Sequence, residues 1–280
     1  MSGAMDANVE SWSGKDRGDE NFPVGSLLIR ADLRRHVHAY YAFARNADDI
    51  SDSAELAPQD KIDRLDLMEA VLTGKRDAGS PSALALRASL AETGVSPVHA
   101  RELLVAFRQD AVKLRYTDWA DLMNYCRYSA MPVGRYVLAL HGESEETWPA
   151  SDALCSSLQV LNHLQDCAKD FAALDRSYLP GDMLAREGID AAEVTKPASS
   201  PALRRVFQSM LAETALLNEQ ARHLPRLVRA RRLRVETAVI AGLAVRLHRR
   251  LTLEDPLAAR VKLRKPDVIS ALLTALPRFA

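Results

Sequence analysis

Two pairs of aspartates, set far apart in the chain, share one spacing. Asp48 and Asp52 stand four residues apart in the run RNADDISD, and Asp166 and Asp170 have the same separation in LQVLNHLQDCAKDF. On a helix, side chains four residues apart lie on one face, with their β-carbons about 5–6 Å apart. Each pair can therefore direct two carboxylates at one point. That arrangement suits Mg²⁺, which takes one or two carboxylates and completes its shell with water and phosphate oxygens.

The neighbours of each pair fit a diphosphate site. Arg45 precedes Asp48 by three residues and Asn162 precedes Asp166 by four, so both share the acidic faces and can contact phosphate oxygens or a metal. Asp49 is a further candidate ligand. The alternative for either pair alone is a solvated acidic helix face. Because both pairs lie in apolar sequence, where uncompensated charge is costly, we favour one shared site, with the two faces opposed across a cavity.

Helices are the elements that must position these residues. Apolar residues recur with helical spacing, and no run alternates as a strand does. The predicted helices cover 31–53, 58–72, 82–93, 97–114, 117–141, 151–174, 201–223, 235–251 and 267–276. Ser82 and Ser96 are the predicted N-caps of the third and fourth. A break is predicted at Met131 and Pro132, because proline removes a donor and clashes with the preceding turn.

Length and composition are those of one large domain. The 280 residues are 48% hydrophobic, enough for a sizeable core, and Lys plus Arg balances Asp plus Glu at 37 each, which gives no reason to expect a nucleic-acid partner. Cys126, Cys155 and Cys167 are predicted to be core thiols in a reducing cytoplasm. No stretch reaches the ~18 apolar residues of a membrane span, and the N-terminus lacks a signal peptide's apolar core. We expect a disordered lead over 1–19 and the domain over 20–280.

Local charge is less even than the total. Six arginines stand between 222 and 234, and three more follow by 250. They are Arg222, Arg226, Arg229, Arg231, Arg232, Arg234, Arg246, Arg249 and Arg250. A solvated helix face and a surface that meets anionic lipid or substrate explain this cluster equally well. Cytoplasmic localisation with peripheral contact at the inner face of the membrane is therefore one expectation.

Six motifs follow one another along the chain. They are ENFPVGS at 20–26, YAFARNADDISD at 41–52, FRQDAVKLRY at 107–116, YCRYSAMPVGR at 125–135, LQVLNHLQDCAKDF at 158–171 and RSYLP at 176–180. Any one alone would be weak, but their order and spacing are specific. Together they resemble the squalene/phytoene synthase family, from about Glu20 to about Asp267. The resemblance implies an all-α, single-domain isoprenoid synthase bundle around a central apolar cavity.

The resemblance also implies a reaction and a set of site residues. The reaction is ionisation of a prenyl diphosphate with Mg²⁺, or Mn²⁺ as the alternative metal. The expected metal ligands are Asp48, Asp49, Asp52, Asn162, Asp166 and Asp170. The expected catalytic residues are Asp48, Asp52, Asp166 and Asp170, with Tyr41 and Tyr125 as π faces for a carbocation. Substrate contacts are expected from Asn21, Arg45, Gly134, Gln159, Asn162, Gln165, Arg176, Tyr178 and Lys265. For each tyrosine alone, a plain core role is the alternative.

Two departures from the usual family pattern predict the branch. The second acidic motif usually reads Arg-Asp where this chain has Gln165 and Asp166, and the usual Ser-Phe near the N-terminus is here Asn21 and Phe22. Both departures resemble hydroxysqualene synthases. Losing the arginine removes a bidentate diphosphate donor, which is hard to reconcile with binding two diphosphates at once. We therefore expect presqualene diphosphate to be converted with water to hydroxysqualene, for squalene and hopanoid biosynthesis.

Two other functions stay open. One is a condensing synthase that joins two farnesyl or geranylgeranyl diphosphates to presqualene diphosphate, squalene or phytoene. The other is a catalytically silent assembly partner of a sister synthase, against which the intact aspartates argue. NADPH is not expected, because no G-x-G-x-x-G fingerprint lies in a βαβ pattern. The expected protein partners are a sister presqualene diphosphate synthase and a flavin-dependent reductase.

Overall fold

The computed structural model describes residues 8–10 and 29–275. In those residues the chain is built of helices without a strand, and one isolated β-bridge joins Tyr116 to Pro180. The helices are α1 (Arg34–Ser51), α2 (Pro58–Leu72), α3 (Pro81–Thr93), α4 (Val98–Asp110), α5 (Trp119–Ser129), α6 (Met131–Leu140), α7 (Trp148–Leu174), α8 (Gly181–Arg186), α9 (Pro201–Ala221), α10 (Leu224–Leu227), α11 (Arg231–Leu253) and α12 (Lys265–Ala275). The predicted all-α class is confirmed.

The residues at the helix ends test the caps and the break that were predicted from the sequence. The chain breaks between α5 and α6 at Ala130, and Pro132 takes the second position of α6, where no helical N–H is required. The predicted cap Ser82 is wrong. Ser80 caps α3 instead, accepting a hydrogen bond from Ala83 N at 3.2 Å, because Pro81 fills the first helical position. The predicted cap Ser96 is also wrong, because Pro97 is the N-cap of α4, and Ser96 Oγ, one residue earlier, accepts from the backbone N–H of Val98 at 3.2 Å.

Residues 8–10 fall within the predicted disordered lead. Val9 N donates to Gly79 O at 3.0 Å, and the Glu10 carboxylate accepts from Ser80 Oγ at 2.5 Å and Ser82 N at 2.9 Å. A carboxylate at the start of α3 is favoured by the helix dipole and by its unpaired N–H groups. The rest of the lead lies outside the described residues, so its disorder stays a prediction.

The chain divides into two compact units, and the predicted single domain stays a prediction. The first unit comprises residues up to 112 with 135–142, and the second comprises 113–134 with 143–275. In the first unit α1 packs on α3 and α4. Phe43, Ala47 and Ile50, spaced as one helical stripe, are completely buried there. Arg45 and Asp48 lie outside this stripe and are only partly buried.

In the second unit the long helix α7 packs against α5, α9 and α11. Val160, Leu161 and Leu164 bury its inner side. Gly134, at the start of α6, lies so close to α7 that an added Cβ would be 2.4 Å from Ser151 Oγ. Its small size is therefore required for packing, and contact between Gly134 and substrate stays a prediction. No helix in residues 29–275 has the length and apolarity needed to cross a membrane.

Candidate active site

The first acidic motif forms an ion-pair cluster on α1. Arg45 Nη1 lies 3.1 Å from Asp48 Oδ2, and Arg45 Nη2 lies 2.7 Å from Asp49 Oδ1. The Asp49 side chain is only 3% exposed, whereas that of Asp48 is 34% exposed. Arg45 therefore compensates the buried Asp49, and Asp48 keeps a surface that solvent ions can reach. Asp52 follows at the C-cap of α1, where its N–H donates to Asp48 O at 2.9 Å.

Negative charge exceeds positive charge around Asp48. Burial, and next the charge of Asp52, raise the pKa of Asp48 to about 7. Asp110 and Asp49 raise it further, and Arg45 alone among the named neighbours opposes them. A carboxylate cluster with one guanidinium is short of cations, so a bound divalent metal would relieve the repulsion.

Asp110, which belongs to this cluster, and its chain neighbour Gln109 were not predicted as site residues. Asp110, the last residue of α4, is 4% exposed and acts on Asp48 electrostatically. Gln109 Nε2 is buried without a hydrogen-bond partner in the described part of the chain. A buried amide donor is costly unless a partner satisfies it, so it suits a phosphate oxygen. Both residues lie in FRQDAVKLRY, and that motif was the available signal.

The second acidic motif lies on α7 in the second unit. Asn162, Asp166 and Asp170 follow one another at steps of four, so they share a face of the helix, and each is half-buried. Cys167 on the same helix is buried, and burial raises the pKa of its thiol to about 12. The thiol therefore stays protonated, which makes it an unsuitable metal ligand and leaves the oxygen donors to that role.

An aromatic and cationic cluster lies at the end of this motif. Arg176 is 4% exposed and its Nη1 donates to Tyr178 Oη at 3.3 Å. The hydroxyl groups of Tyr178 and Tyr125 are 3.4 Å apart. The ring of His163 stacks on that of Tyr178 with centroids 3.4 Å apart, and Tyr116 stacks on the same ring at 5.4 Å. The structure thus brings three predicted residues, Arg176, Tyr178 and Tyr125, into one group.

His163 is a member of this cluster that sequence reasoning missed. Burial, and next the positive charge of Arg176, lower the pKa of His163 to about 3, so the ring is neutral. Its Nε2 is buried without a hydrogen-bond partner in the described residues. The only signal was its position one residue after Asn162, in a motif already assigned to metal and phosphate.

Two further motifs are joined by backbone hydrogen bonds. Ser177 N donates to Leu114 O and Gly181 N donates to Tyr116 O, both at 2.9 Å. The segment RSYLP is thereby held against the end of FRQDAVKLRY, and the β-bridge of Tyr116 with Pro180 is part of the same contact. This pairing fixes the backbone that carries Arg176 and Tyr178, two members of the aromatic and cationic cluster.

The remaining predicted residues are placed as follows. Gln165 Nε2 donates to Val261 O at 2.6 Å, so its amide holds the loop before α12. Gln159 and Tyr41 are half-buried on α7 and α1, whereas Lys265 is exposed at the start of α12. In the described part of the chain no contact joins Lys265 to the aromatic and cationic cluster. Asn21 lies outside the described residues. The substrate contacts of all these residues stay predictions.

The donor set fits Mg²⁺. Among residues 8–10 and 29–275, no three His, Cys, Asp or Glu side chains form a ready metal cage. Mg²⁺ does not need one, because it binds through one or two carboxylates and keeps water or phosphate oxygens in its other positions. The charge excess at Asp48 and the carboxylate and amide oxygens along α7 match that chemistry.

The raised pKa of Asp48 predicts a pH effect in the metal-free protein. The folded chain keeps a proton on Asp48 up to about pH 7, whereas the unfolded chain releases it at lower pH, so stability falls as pH rises through this window. Asp48→Asn removes the effect. The difference in Tm between Asp48→Asn and the wild type, measured by calorimetry in EDTA, should favour the variant more at about pH 8 than at about pH 5. Asp60→Asn, at an exposed site on α2, should show no such change. Equal pH dependence in both variants would contradict the assignment.

Sequence comparison places the chain among named relatives. The family model described as squalene/phytoene synthase matches residues 15–267. The hydroxysqualene synthase of Rhodopseudomonas palustris is 46% identical over 97% of this chain and 93% of its own length. That of Zymomonas mobilis is 41% identical over 94% and 89%. A phytoene synthase of Mycobacterium tuberculosis is 33% identical over 60% of this chain and 56% of its own length.

Solved structures show the same fold. The crystal structure of squalene synthase HpnC from Alicyclobacillus acidocaldarius matches with a TM-score of 0.72 and 32% identity, covering 83% of this chain and 88% of that one. A dehydrosqualene synthase solved with a ligand matches with a TM-score of 0.73 at 20% identity, over 93% and 92%. The second likeness concerns the fold alone.

Proposed function

The chain belongs to the squalene/phytoene synthase family, and we propose that it converts presqualene diphosphate and water into hydroxysqualene and diphosphate. Membership makes it an isoprenoid synthase. Near-full-length similarity to several hydroxysqualene synthases supports the branch, whereas the phytoene synthase of Mycobacterium tuberculosis matches a shorter part at lower identity.

The carboxylate excess around Asp48 is the observation that carries the chemistry. A charge cluster of this kind destabilises the metal-free protein, and Asp48 nonetheless keeps an exposed surface. We propose that Asp48 and Asp52 on α1, and Asn162, Asp166 and Asp170 on α7, hold Mg²⁺. When bound, Mg²⁺ would act as a Lewis acid and neutralise charge on the leaving diphosphate. The ligand role of Asp49 is also proposed, although Arg45 compensates its charge in the structure.

The protein's own groups have three tasks in the reaction. We propose that hydrogen bonds to the diphosphate oxygens come from Arg45, Arg176 and the Gln109 amide. They stabilise the diphosphate as the carbon–oxygen bond breaks and its electron pair leaves with the diphosphate. The carbon skeleton then rearranges as a carbocation. Tyr125, whose aromatic neighbours are tilted rather than stacked on it, offers a π face in a buried cluster, worth ~0.5–2 kcal/mol to a nearby cation. A water oxygen forms the new carbon–oxygen bond and loses a proton to the departed diphosphate.

The number of prenyl diphosphates that the site binds at once tests the assignment to the hydroxysqualene synthase branch. Two diphosphates in one site need more cationic compensation than one, and Gln165 here is engaged with Val261 O and carries no charge. Purified protein with Mg²⁺ and without NADPH should consume presqualene diphosphate and release one diphosphate per hydroxysqualene. Farnesyl diphosphate in a parallel tube should be consumed at least ~10²-fold more slowly. Efficient formation of presqualene diphosphate or squalene from farnesyl diphosphate would favour the condensing-synthase alternative.

The product chemistry implies neighbours in the reaction sequence. The substrate must come from an enzyme that joins two prenyl diphosphates, and an allylic alcohol such as hydroxysqualene needs a reductase to become a hydrocarbon. We propose a sister presqualene diphosphate synthase and a flavin-dependent reductase as these partners. Reduction by this chain is not proposed, and neither is NADPH as a cofactor.

A further inference from the structure

A groove on the second unit combines positive charge with small apolar residues. Helices α9 to α12 enclose a cavity of about 740 Å³, rimmed by Arg222, Arg226 and Arg246. The apolar part of its lining consists of Pro225, Ala238, Ala241, Gly242, Val245 and Ala275. A second cavity of about 590 Å³ shares Val245 and Arg246 with the first and adds Arg249, together with Arg250 and its two ion-pair partners, Glu254 and Asp267. We call the two together the arginine groove.

The charge of the arginine groove is poorly compensated within the protein. Residues 222–250 hold nine arginines and one carboxylate, Glu236, which is 6% exposed, although the whole chain is neutral. Arg226 and Arg249 are exposed and make no ion pair in the described part of the chain. Arg246 donates to Gly242 O at 2.9 Å and to Ser270 Oγ at 2.8 Å, and both acceptors are uncharged. Arg222 pairs with Glu219 at 2.6 Å, and Arg250 pairs with Glu254 and Asp267. The positive potential of the groove therefore rests mainly on Arg226, Arg246 and Arg249.

Large apolar side chains stand exposed beside these arginines. Val245 and Leu253 on α11 are 52% and 72% exposed, and Ile269 and Leu273 on α12 are 57% and 63% exposed. Arginine next to exposed aliphatic residues is typical of surfaces that meet a bilayer, where guanidinium groups bind headgroups and aliphatic groups enter the acyl boundary. A nucleic-acid surface would offer large aromatic side chains for stacking, and no Phe, Tyr or Trp lines either cavity in the described residues.

From this charge complementarity we propose that the arginine groove docks the protein on an anionic phospholipid surface. A headgroup phosphate enters the larger cavity between Arg222, Arg226 and Arg246, and the exposed side chains of Leu253, Ile269 and Leu273 enter the acyl boundary. Each arginine near such a surface strengthens binding by about fivefold, and salt screens the attraction. The inference is independent of the proposed reaction, because it concerns binding alone.

Vesicle cosedimentation of the full chain tests the proposal. Wild-type protein should bind phosphatidylglycerol vesicles, bind phosphatidylcholine vesicles much more weakly, and lose affinity as salt is raised. The triple variant Arg222→Gln, Arg226→Gln, Arg249→Gln should bind phosphatidylglycerol roughly 10²-fold more weakly. The matched control is Arg35→Gln, Arg101→Gln, Arg186→Gln, which removes the same charge from exposed sites elsewhere and should bind like wild type.

Further readouts separate the outcomes. Thermal unfolding and turnover in detergent should be unchanged in the triple variant, and if its Tm fell, Arg226→Gln alone would replace it with an expected loss of about fivefold. Equal losses in the triple variant and the control, or equal binding to both vesicle types, would overturn the proposal. So would tight binding of inorganic phosphate or RNA at the groove without vesicle binding.

Discussion

Asp48→Asn, Asp52→Asn, Asp166→Asn and Asp170→Asn are each expected to lower turnover of presqualene diphosphate by at least ~10²-fold while the fold stays intact. Asparagine keeps the shape of the side chain but removes the charge that would hold a divalent cation. The loss should appear in kcat, because leaving-group electrostatics act most strongly in the transition state. Steady-state kinetics with diphosphate release as the readout measures it.

Controls for these variants come from the same part of the chain. Asp152→Asn, 14 residues before Asp166 on α7 and so about 21 Å from it along the helix, and Asp60→Asn, on α2, make the same chemical change outside the two acidic motifs and should retain turnover. Circular dichroism should be the same in all six variants. Asp48→Asn should not lower the Tm, because a carboxyl of raised pKa is relieved of repulsion when its charge is removed. Wild-type turnover in any two of the four motif variants would refute the assignment.

Chelation of divalent metal is expected to lower turnover on the order of 10³-fold, because several kcal/mol of charge stabilisation on the leaving diphosphate are lost. Mg²⁺ should restore activity, and Mn²⁺ should also restore it, since both accept octahedral oxygen ligands. Ca²⁺ is the control metal, because its longer bonds and flexible geometry position a diphosphate poorly. Undiminished turnover after exhaustive chelation would contradict a metal-dependent mechanism.

A binding measurement separates metal affinity from activity. Mg²⁺ with inorganic diphosphate should raise the Tm of the wild-type chain, since a ligand that binds only the folded state stabilises it by mass action. The double variant Asp48→Asn, Asp166→Asn should show a much smaller rise. An equal rise in both proteins would place the metal away from these residues.

The longer helices and their order were predictable because local periodicity encodes them, whereas the short helices α8 and α10 were not predicted. α2 has its predicted limits, Pro58 and Leu72, since proline at the first position and an apolar stripe mark the segment. α11 begins at Arg231, four residues before its predicted start, because arginine is a good helix former even without an apolar stripe. Such errors at the ends of helices do not move the acidic motifs.

The identity of the acidic helices was predictable, but the residues around them were not. Asp110 reaches the Asp48 cluster from α4, and His163 stacks on Tyr178 after the turn that ends α7. These contacts depend on how helices pack, and spacing along one helix cannot reveal them. Gln165 shows the same limit, since its amide bonds to Val261, 96 residues later. That the two acidic helix faces lie opposite each other across a cavity stays a prediction.

The most direct test of the central claim is the product formed from presqualene diphosphate in ¹⁸O-labelled water. Purified protein with Mg²⁺ and without reductant should yield hydroxysqualene that carries one solvent-derived ¹⁸O atom, with one diphosphate released per molecule, and Asp166→Asn should abolish both signals together. A hydrocarbon product, an alcohol without label, or no consumption of presqualene diphosphate beside rapid consumption of farnesyl diphosphate would contradict the account.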